Sequence, residues 1–377
     1  MAEVPLLQLN PSLKNKNIDA VTRAINISKL DWDSYETSWD FTSLPLLQSD
    51  YRQPTLDRTY QTLRAHWGEM TQEMKCLEEE NNRLFIDAYD LQDELTPDVP
   101  LSEITLTCNP HYRYREKNDE ELELLLMADT IKEFLSYAVG CMMGRYSLDE
   151  PGPIYAHSGN VGFDPTRYKT FPADGDGILP LTDKPWFEND STNRIQEFLL
   201  AVWGAKTLDE NMGWLAESLG RKSNETPMET IRRYLSDKFF KDHLQTYKKR
   251  PIYWLFSSGK QRAFQALVYL HRYHEGTLAR MRSKFVVPLI SRIQSQLGML
   301  EKDKDEAIST AIRNKLNKEI EGLRKKLSEL LAYDEKLRHY ADMRITLDLD
   351  DGVKVNYGKF GDLLAEVKSV TGGESDD

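Results

Sequence analysis

The chain has 377 residues, which is more than one ordinary domain and enough for two or three. A hydrophobic fraction of 40% with 29% charged residues is typical of folded globular domains, and no apolar run is long enough to predict a membrane span. The net charge of −12 argues on its own against a polyanionic partner, and three widely spaced cysteines exclude a disulfide framework and indicate a reducing, cytoplasmic environment.

The first part of the chain predicts two helices. Residues 1–54 form a connecting segment with a helix at 17–29, whose predicted apolar stripe comprises Ile18, Val21, Ile25 and Leu30. Residues 55–96 predict a long spacer helix that ends near Leu95, because Pro97 and Pro100 follow. Its seam steps by four and three residues: Leu56, Tyr60, Leu63, Trp67, Met70, Met74, Leu77, Asn81 and Leu84. Such a heptad pattern packs either within its own chain, which we favour, or as a dimer zipper.

Residues 97–286 predict a mixed α+β domain. Ile104–Cys108 alternates like a strand, 119–145 is apolar at helical spacing, and 150–187 reads as loop with short strands. Helices are predicted at 192–204 and 227–247, the second starting at Thr226-Pro227.

A basic β-hairpin is predicted at the end of this domain. Apolar residues alternate from Ile252 to Phe256 and again from Phe264 to Leu270, and the intervening tip carries Lys260, Gln261 and Arg262. Sixteen Lys and Arg but only five acidic residues lie between Arg221 and Arg292, so this segment carries +11 and the rest of the chain −23. A duplex-docking surface explains that asymmetry better than an ordinary solvated face, because Lys and Arg neutralise phosphates and Gln and Arg reach base edges.

The C-terminal part predicts a helical hairpin and then a β-hairpin. Apolar stripes at 287–300 and 316–337 flank the polar run Glu301–Asp305, which indicates an antiparallel helical hairpin over 287–341 that the spacer helix could join. In 342–377, strands around an Asp351-Gly352 turn are predicted at 345–349 and 353–357, followed by a helix and a disordered tail from Thr371.

Motifs for catalysis are weak. Asn109-Pro110-His111-Tyr112 is similar to the Asn-Pro-Pro-Tyr of amino-methyltransferases, but His111 replaces the second proline. Neither Gly175-Asp176-Gly177 nor Gly159–Gly162 follows an apolar strand, as the turn of a nucleotide cofactor site would. The histidines lack metal-ligand spacing, and no catalytic residue or metal site is predicted.

Several stretches resemble the target-recognition region of BREX phage-exclusion adenine methyltransferases, the PglX family. They cover about 14–370 and comprise KRPIYWLFSS from Lys249, AFQALVYLHRY from Ala263, Gly276–Arg282, LDWDSYETSWDF from Leu30, NNRLFIDAYDLQDEL from Asn81, LTCNPHYRY from Leu106, FLSYAVGCMMGRYSLD from Phe134 and DLDDGVKVNYGKFGDLL from Asp348. The resemblance implies the C-terminal portion of such an enzyme. The S-adenosylmethionine site and the catalytic domain then lie upstream, and this chain holds no cofactor and is inactive alone.

The combined reading is a target-recognition α+β domain with a basic β-hairpin, flanked by long antiparallel coiled-coil-like helices. Its function would be to bind duplex DNA for an adenine-N6 methyltransferase of a phage-defence system, with the N-terminal methyltransferase domain as a further partner. The alternative is a scaffold that docks other BREX components or an acidic, DNA-mimicking phage inhibitor. Membrane contact is not expected. The predicted DNA-binding residues are Arg232, Arg233, Lys248, Lys249, Arg250, Tyr253, Lys260, Gln261, Arg262, His271, Arg272, Arg280, Arg282 and Lys284.

Overall fold

The computed structural model describes residues 11–372, without the side chain of Ser12. These residues form two compact units, one of 11–134 together with Asp209–Trp214 and one of Leu135–Leu208 together with 215–372. We refer to them as unit 1 and unit 2. The mixture is α+β, as predicted, but helices dominate and the described residues contain a single small sheet.

Helices and strands have the following bounds. The helices are α1 (Pro11–Asp33), α2 (Leu56–Ala88), α3 (Pro110–Tyr114), α4 (Asp119–Met143), α5 (Ser191–Trp203), α6 (Leu208–Ser218), α7 (Pro227–Asp237), α8 (Phe239–Thr246), α9 (Thr277–Met281), α10 (Val287–Glu306), α11 (Thr310–Asp342), α12 (Gly352–Gly358) and α13 (Val367–Thr371). The strands are β1 (Ile178–Pro180), β2 (Tyr253–Ser257) and β3 (Gln265–Tyr269).

In unit 1, α1 and α2 pack as an antiparallel pair. Asn17 donates to Asn81 at 2.6 Å and Arg23 contacts Glu73 at 2.5 Å, so rising numbers on one helix meet falling numbers on the other. The predicted heptad seam of α2 is buried from Leu56 to Leu77, and Asn81 lies at its partly exposed end. The helix itself ends at Ala88, earlier than predicted.

The predicted apolar face of α1 is wrong. Ile18, Val21, Ile25 and Leu30 are between 41% and 61% exposed. The buried side of α1 instead steps through Leu13, Asn17, Ala20, Ala24, Ile27 and Asp31. This side includes two alanines, an asparagine and an aspartate, so it carries less hydrocarbon than the exposed side, and a search for large apolar residues selects the wrong side.

The strand predicted at Ile104–Cys108 is also wrong. Ile104, Leu106 and Cys108 are buried as an alternating pattern implies, but no strand pairs with them among the described residues. Their backbone is held by Asp31, whose carboxylate accepts from the N–H groups of Thr107 at 2.7 Å and Cys108 at 3.0 Å. A buried carboxylate therefore replaces the neighbouring strand as hydrogen-bond acceptor.

Unit 2 is built around a three-stranded antiparallel sheet in the order β1-β3-β2. The β2–β3 hairpin confirms the sequence prediction, with Tyr253 opposite Tyr269 and Ser257 opposite Gln265. Alternate side chains point to opposite faces. On one face Tyr253 stacks on His243 of α8 at 4.9 Å, whereas on the other face Trp254 meets Phe360 at 5.7 Å. The hairpin is thus covered on both sides.

The helices predicted at 119–145, 192–204 and 227–247 are mostly confirmed. α4 and α5 match 119–145 and 192–204, while the predicted helix 227–247 is divided into α7 and α8 at Lys238. α7 starts at a capping box in which Thr226 and Glu229 satisfy each other's backbone N–H.

The predicted helical hairpin is formed by α10 and α11. Arg324 donates to Glu301 at 2.6 Å, which fixes the antiparallel pairing. The polar run Glu301–Asp305 continues α10, so the turn lies at 307–309 instead.

The C-terminal β-hairpin predicted at 345–357 is wrong. A 3-10 turn at Leu349–Asp351 leads into α12. Asn356 donates to the carbonyl of Gly352 at 2.9 Å, and buried Tyr357 packs edge-on against Trp254 at 5.2 Å. The contact of Tyr357 with the sheet outweighs the preference for a strand that the alternating sequence pattern indicates. Most of the tail predicted to be disordered, 373–377, lies outside the described residues.

Candidate nucleic-acid interface

Exposed cations line the outer side of α8 in unit 2. Lys238 and Lys241 lie at its start, and Lys248, Lys249 and Arg250 lie in the turn that follows. Within residues 11–372 none of these five side chains has an ion-pair partner. The opposite side of α8 packs on the sheet through Phe239, Phe240, His243 and Leu244. We call the five cations the basic stripe.

The turn after α8 is strained. Lys248 and Lys249 have φ values of 49° and 61°, a left-handed conformation that side chains with a Cβ rarely adopt. The Lys249 N–H reaches back to the carbonyl of Leu244 at 2.7 Å, which closes the helix end. Glycine is the usual residue at such a position. The two lysines therefore make the turn less stable than glycines would.

The hairpin tip is held by a carboxylate from α11. Glu329 accepts from the Ser258 hydroxyl at 2.7 Å and from the Gln261 N–H at 2.7 Å. It also accepts from the Ala263 N–H at 3.3 Å. Residues 259–262 remain exposed, so α11 is bonded to the base of the tip without covering it.

The tip lies beside the start of α8. Arg262 pairs with Asp237, the last residue of α7, and Lys238 follows directly. Lys260 is exposed and has no ion-pair partner among the described side chains. From this junction α8 extends about 12 Å toward Lys248. The tip and the basic stripe therefore form one group on unit 2.

Three of the predicted DNA-binding residues lie in the interior, and that part of the prediction needs correction. Tyr253 is in the sheet core. Arg232 pairs with buried Asp190 at 2.7 Å and donates to the Thr182 carbonyl at 3.1 Å. Arg272, which is 1% exposed, donates to Asn160 and to the Asp174 and Gly175 carbonyls and lies 3.6 Å from the Phe163 ring. These groups support loops and cannot meet a duplex on the surface.

Other predicted cations are paired with acids. Arg233 contacts Glu225 at 2.7 Å, Arg282 makes two bonds to Asp334 at 2.8 and 2.9 Å, and Lys284 contacts Asp176 at 2.6 Å. Arg280 is exposed without an ion pair in the described part of the chain. Arg282 and Lys284 belong to the helical layer on the Phe264 side of the sheet, because Phe285 packs toward Phe264 at 6.4 Å. The structure therefore does not bring them together with the basic stripe.

Burial keeps two histidines neutral. Desolvation lowers the pKa of His271 to about 4, so at neutral pH it offers a hydrogen bond but no charge to a phosphate. Desolvation lowers the pKa of His243 to about 3, and its Nε2 accepts from the N–H groups of Ile252 at 3.1 Å and Tyr253 at 3.2 Å. His243 thereby ties α8 to the start of β2.

Sequence reasoning missed the acids that decide which cations are free. Glu329, Asp334 and Asp176 lie far along the chain from the cations or tip residues they contact. No local spacing signals such pairs. Lys238 and Lys241 are among the sixteen cations of the basic segment but are not among the predicted DNA-binding residues.

The residues present do not fit an S-adenosylmethionine site. Asn109 is fully buried, donates to the carbonyls of Leu101 at 2.8 Å and Ile104 at 2.9 Å, and accepts from the His111 N–H to cap α3. The described strands are all antiparallel, so no glycine-rich turn follows a parallel strand within residues 11–372.

No group of His, Cys, Asp and Glu side chains between 11 and 372 is arranged to hold a metal ion. Within the same range, no helix has both the length and the apolar character needed to cross a bilayer.

Comparison with known proteins identifies relatives of greater length. No protein-family model matches the chain. It is 49% identical over 374 residues to the adenine-specific methyltransferase BrxX of Escherichia coli O9:H4 strain HS, covering 96% of this chain and 30% of that protein. It is 40% identical over 348 residues to the adenine-specific methyltransferase PglX of Lacticaseibacillus casei strain Zhang, covering 91% of this chain and 27% of that protein. The chain thus spans less than a third of these relatives, and it is homologous to a portion of the BREX adenine-specific methyltransferases.

Proposed function

We propose that this chain is the DNA target-recognition portion of an adenine-N6 methyltransferase of a phage-defence system. It would bind duplex DNA and position it for a methyltransferase portion outside this sequence. The names of its relatives support a DNA substrate, since both are adenine-specific methyltransferases. The observation that carries the proposal is the basic stripe, which is exposed and has no ion-pair partner within residues 11–372, in a chain of net charge −12.

The stripe has the composition and size of a phosphate contact. Lys and Arg neutralise phosphates and set the orientation of a protein on the duplex. A length of about 12 Å along α8 corresponds to roughly three or four phosphates of one strand, at about 3.4 Å of helix axis each. The exposed tip residues Lys260 and Gln261 then supply the groups able to reach a base edge.

The acidic remainder of the molecule is compatible with this role. Like charge on other surfaces repels DNA, so binding is confined to the face where cations are unopposed. The strained lysines after α8 point the same way, because strained backbone clusters at functional sites.

Fluorescence anisotropy with a labelled duplex at several salt concentrations tests the proposal. We expect the triple substitution Lys248→Ala, Lys249→Ala and Arg250→Ala to weaken binding about 10- to 100-fold near 100 mM salt and to reduce the salt slope by about 2–3. The matched control replaces Lys315, Lys318 and Lys354, which are exposed and lack ion-pair partners in the described chain. Equal affinity for the two triple variants contradicts the site, and absence of wild-type binding at low salt contradicts the function.

A second candidate is docking of another protein. The exposed Ile18, Val21, Ile25 and Trp32 line one side of α1 and give it an apolar outer surface. That surface suits a scaffold that joins unit 1 to other defence components or to the remainder of a longer methyltransferase. Co-purification of the partner with wild type but not with Ile25→Asp would support it, and equal recovery of both would contradict it.

A further inference from the structure

The hairpin tip is folded around an oxyanion. Two backbone N–H groups, from Gln261 and Ala263, and the Ser258 hydroxyl converge on the Glu329 carboxylate at 2.7–3.3 Å. Backbone N–H groups of one turn that point at the same anion, assisted by a hydroxyl, are a donor set that proteins also use to hold phosphate. The tip thus contains a preformed anion site that is occupied by a side chain of the same chain.

The close approach of the carboxylate depends on Gly259. Its φ is 129°, and a Cβ there would lie 3.1 Å from Glu329 Oε2. A larger residue at this position would be strained by the positive φ and would push the carboxylate outward by a few tenths of an ångström.

Exchange requires Glu329 to leave while the donors stay in place. It is half-buried on α11 and joined to the helix by a flexible side chain, so rotation about its side-chain bonds moves the carboxylate into water. The donors belong to the hairpin, whose strands are covered on both faces. An empty turn would leave two N–H groups without their present acceptor, and an incoming anion would satisfy them again.

We propose that a DNA phosphate occupies this turn in exchange for the Glu329 carboxylate. The inference rests on the proposed DNA binding and names the atoms that hold one phosphate. Exchange keeps the N–H groups of Gln261 and Ala263 bonded and removes a negative charge from the path of the duplex. Neighbouring Lys260, which has no ion pair within residues 11–372, adds to the attraction.

The alternative role for Glu329 is to lock the turn in shape. The two roles predict opposite effects of removing the side chain. Under exchange, Glu329→Ala frees the site and strengthens DNA binding about 3- to 10-fold, since an internal competitor is lost. Under locking, the same change loosens the tip and leaves DNA binding weaker or unchanged.

The matched control is Glu335→Ala, which removes the same charge from an exposed position on the same helix without a recorded partner in the described chain. Anisotropy on one duplex compares the two variants with wild type. We expect Glu329→Ala to gain several-fold more affinity than Glu335→Ala. A gain no larger than that of Glu335→Ala overturns the inference.

Hydrogen exchange of the peptide covering 258–264 gives a second readout. In Glu329→Ala without DNA, we expect faster exchange at Gln261 and Ala263 than in wild type, and added duplex should restore the protection. If the duplex binds but exchange in this peptide stays fast, the inference fails and the proposed function stands. If neither protein binds the duplex, both fail. Thermal melting of each variant verifies that the fold is retained.

Discussion

The cations of unit 2 are of two kinds that look alike in the sequence. Lys248, Lys249 and Arg250 are exposed and unpaired in the described chain, whereas Arg232 and Arg272 are sealed against carboxylate and carbonyl oxygens. Both kinds contribute equally to the +11 of this segment. A local excess of Lys and Arg therefore indicates a binding surface only if the cations paired within the protein are left out of the count. A buried guanidinium supports the structure and is not available to a ligand.

Removing a sealed cation should have the largest effect on stability. We expect Arg272→Ala to lower the free energy of unfolding by about 3–5 kcal/mol, since a side chain that is only 1% exposed loses its packing on the Phe163 ring together with three hydrogen bonds to partly buried acceptors. Arg250→Ala, the exposed control, should change it by less than about 0.5 kcal/mol. Urea denaturation measures both. A similar decrease in the free energy of unfolding for the two variants would contradict the distinction between buried and exposed cations.

The pH dependence of stability tests the contact between α8 and the sheet. The pKa of His243 is lowered from 6.5 to about 3, so between those values the unfolded chain binds a proton that the folded protein excludes. Its contribution to stability is complete above pH 6.5 and is lost as the pH falls toward 3, by at most about 1.4 kcal/mol per pH unit.

The measurement compares wild type with His243→Gln at pH 7 and pH 5. Burial raises the pKa of Asp176 to about 6 and that of Glu133 to about 7, which has the opposite sign, but these terms are common to both proteins and cancel in the difference. We expect wild type to lose more stability than the variant on acidification. Parallel pH profiles would show that His243 is protonated in the folded state.

The smallest effect concerns strain in the basic stripe. Lys248→Gly should stabilise the protein by about 0.5–1 kcal/mol, because glycine adopts the φ of 49° without steric cost. The same change should weaken DNA binding a few-fold by removing a phosphate contact. Lys241→Gly removes an equivalent charge from within α8 and should instead destabilise by about 1 kcal/mol. Melting and anisotropy on this pair would sharpen the comparison, and destabilisation by Lys248→Gly would contradict it.

Part of this architecture follows from periodicity alone. The α2 seam and the β2–β3 hairpin bury large apolar residues at regular spacing, and such spacing predicts which residues are buried. The face of α1 could not be predicted in this way, because its contact with α2 uses Ala20 and Ala24 while Ile18 and Ile25 point outward.

Long-range partners account for the remaining errors. Asp31 accepts the hydrogen bonds from residues 107–108 that a neighbouring strand would otherwise accept. Tyr357 packs on Trp254 of the sheet, although its segment alternates as a strand would. For the candidate site, sequence located the basic segment and the tip. It could not identify Glu329 as the acceptor within the turn, since contacts between residues 66–71 positions apart leave no local pattern.

The double covering of the β2–β3 hairpin has a mechanical consequence. Because the two strands are packed on both faces, a substitution in their loop disturbs the core little. The side chains of 260–262 can therefore be replaced with only a small decrease in melting temperature. Under the proposed function, a change in the DNA sequence that is recognised then needs substitutions at very few residues of this loop.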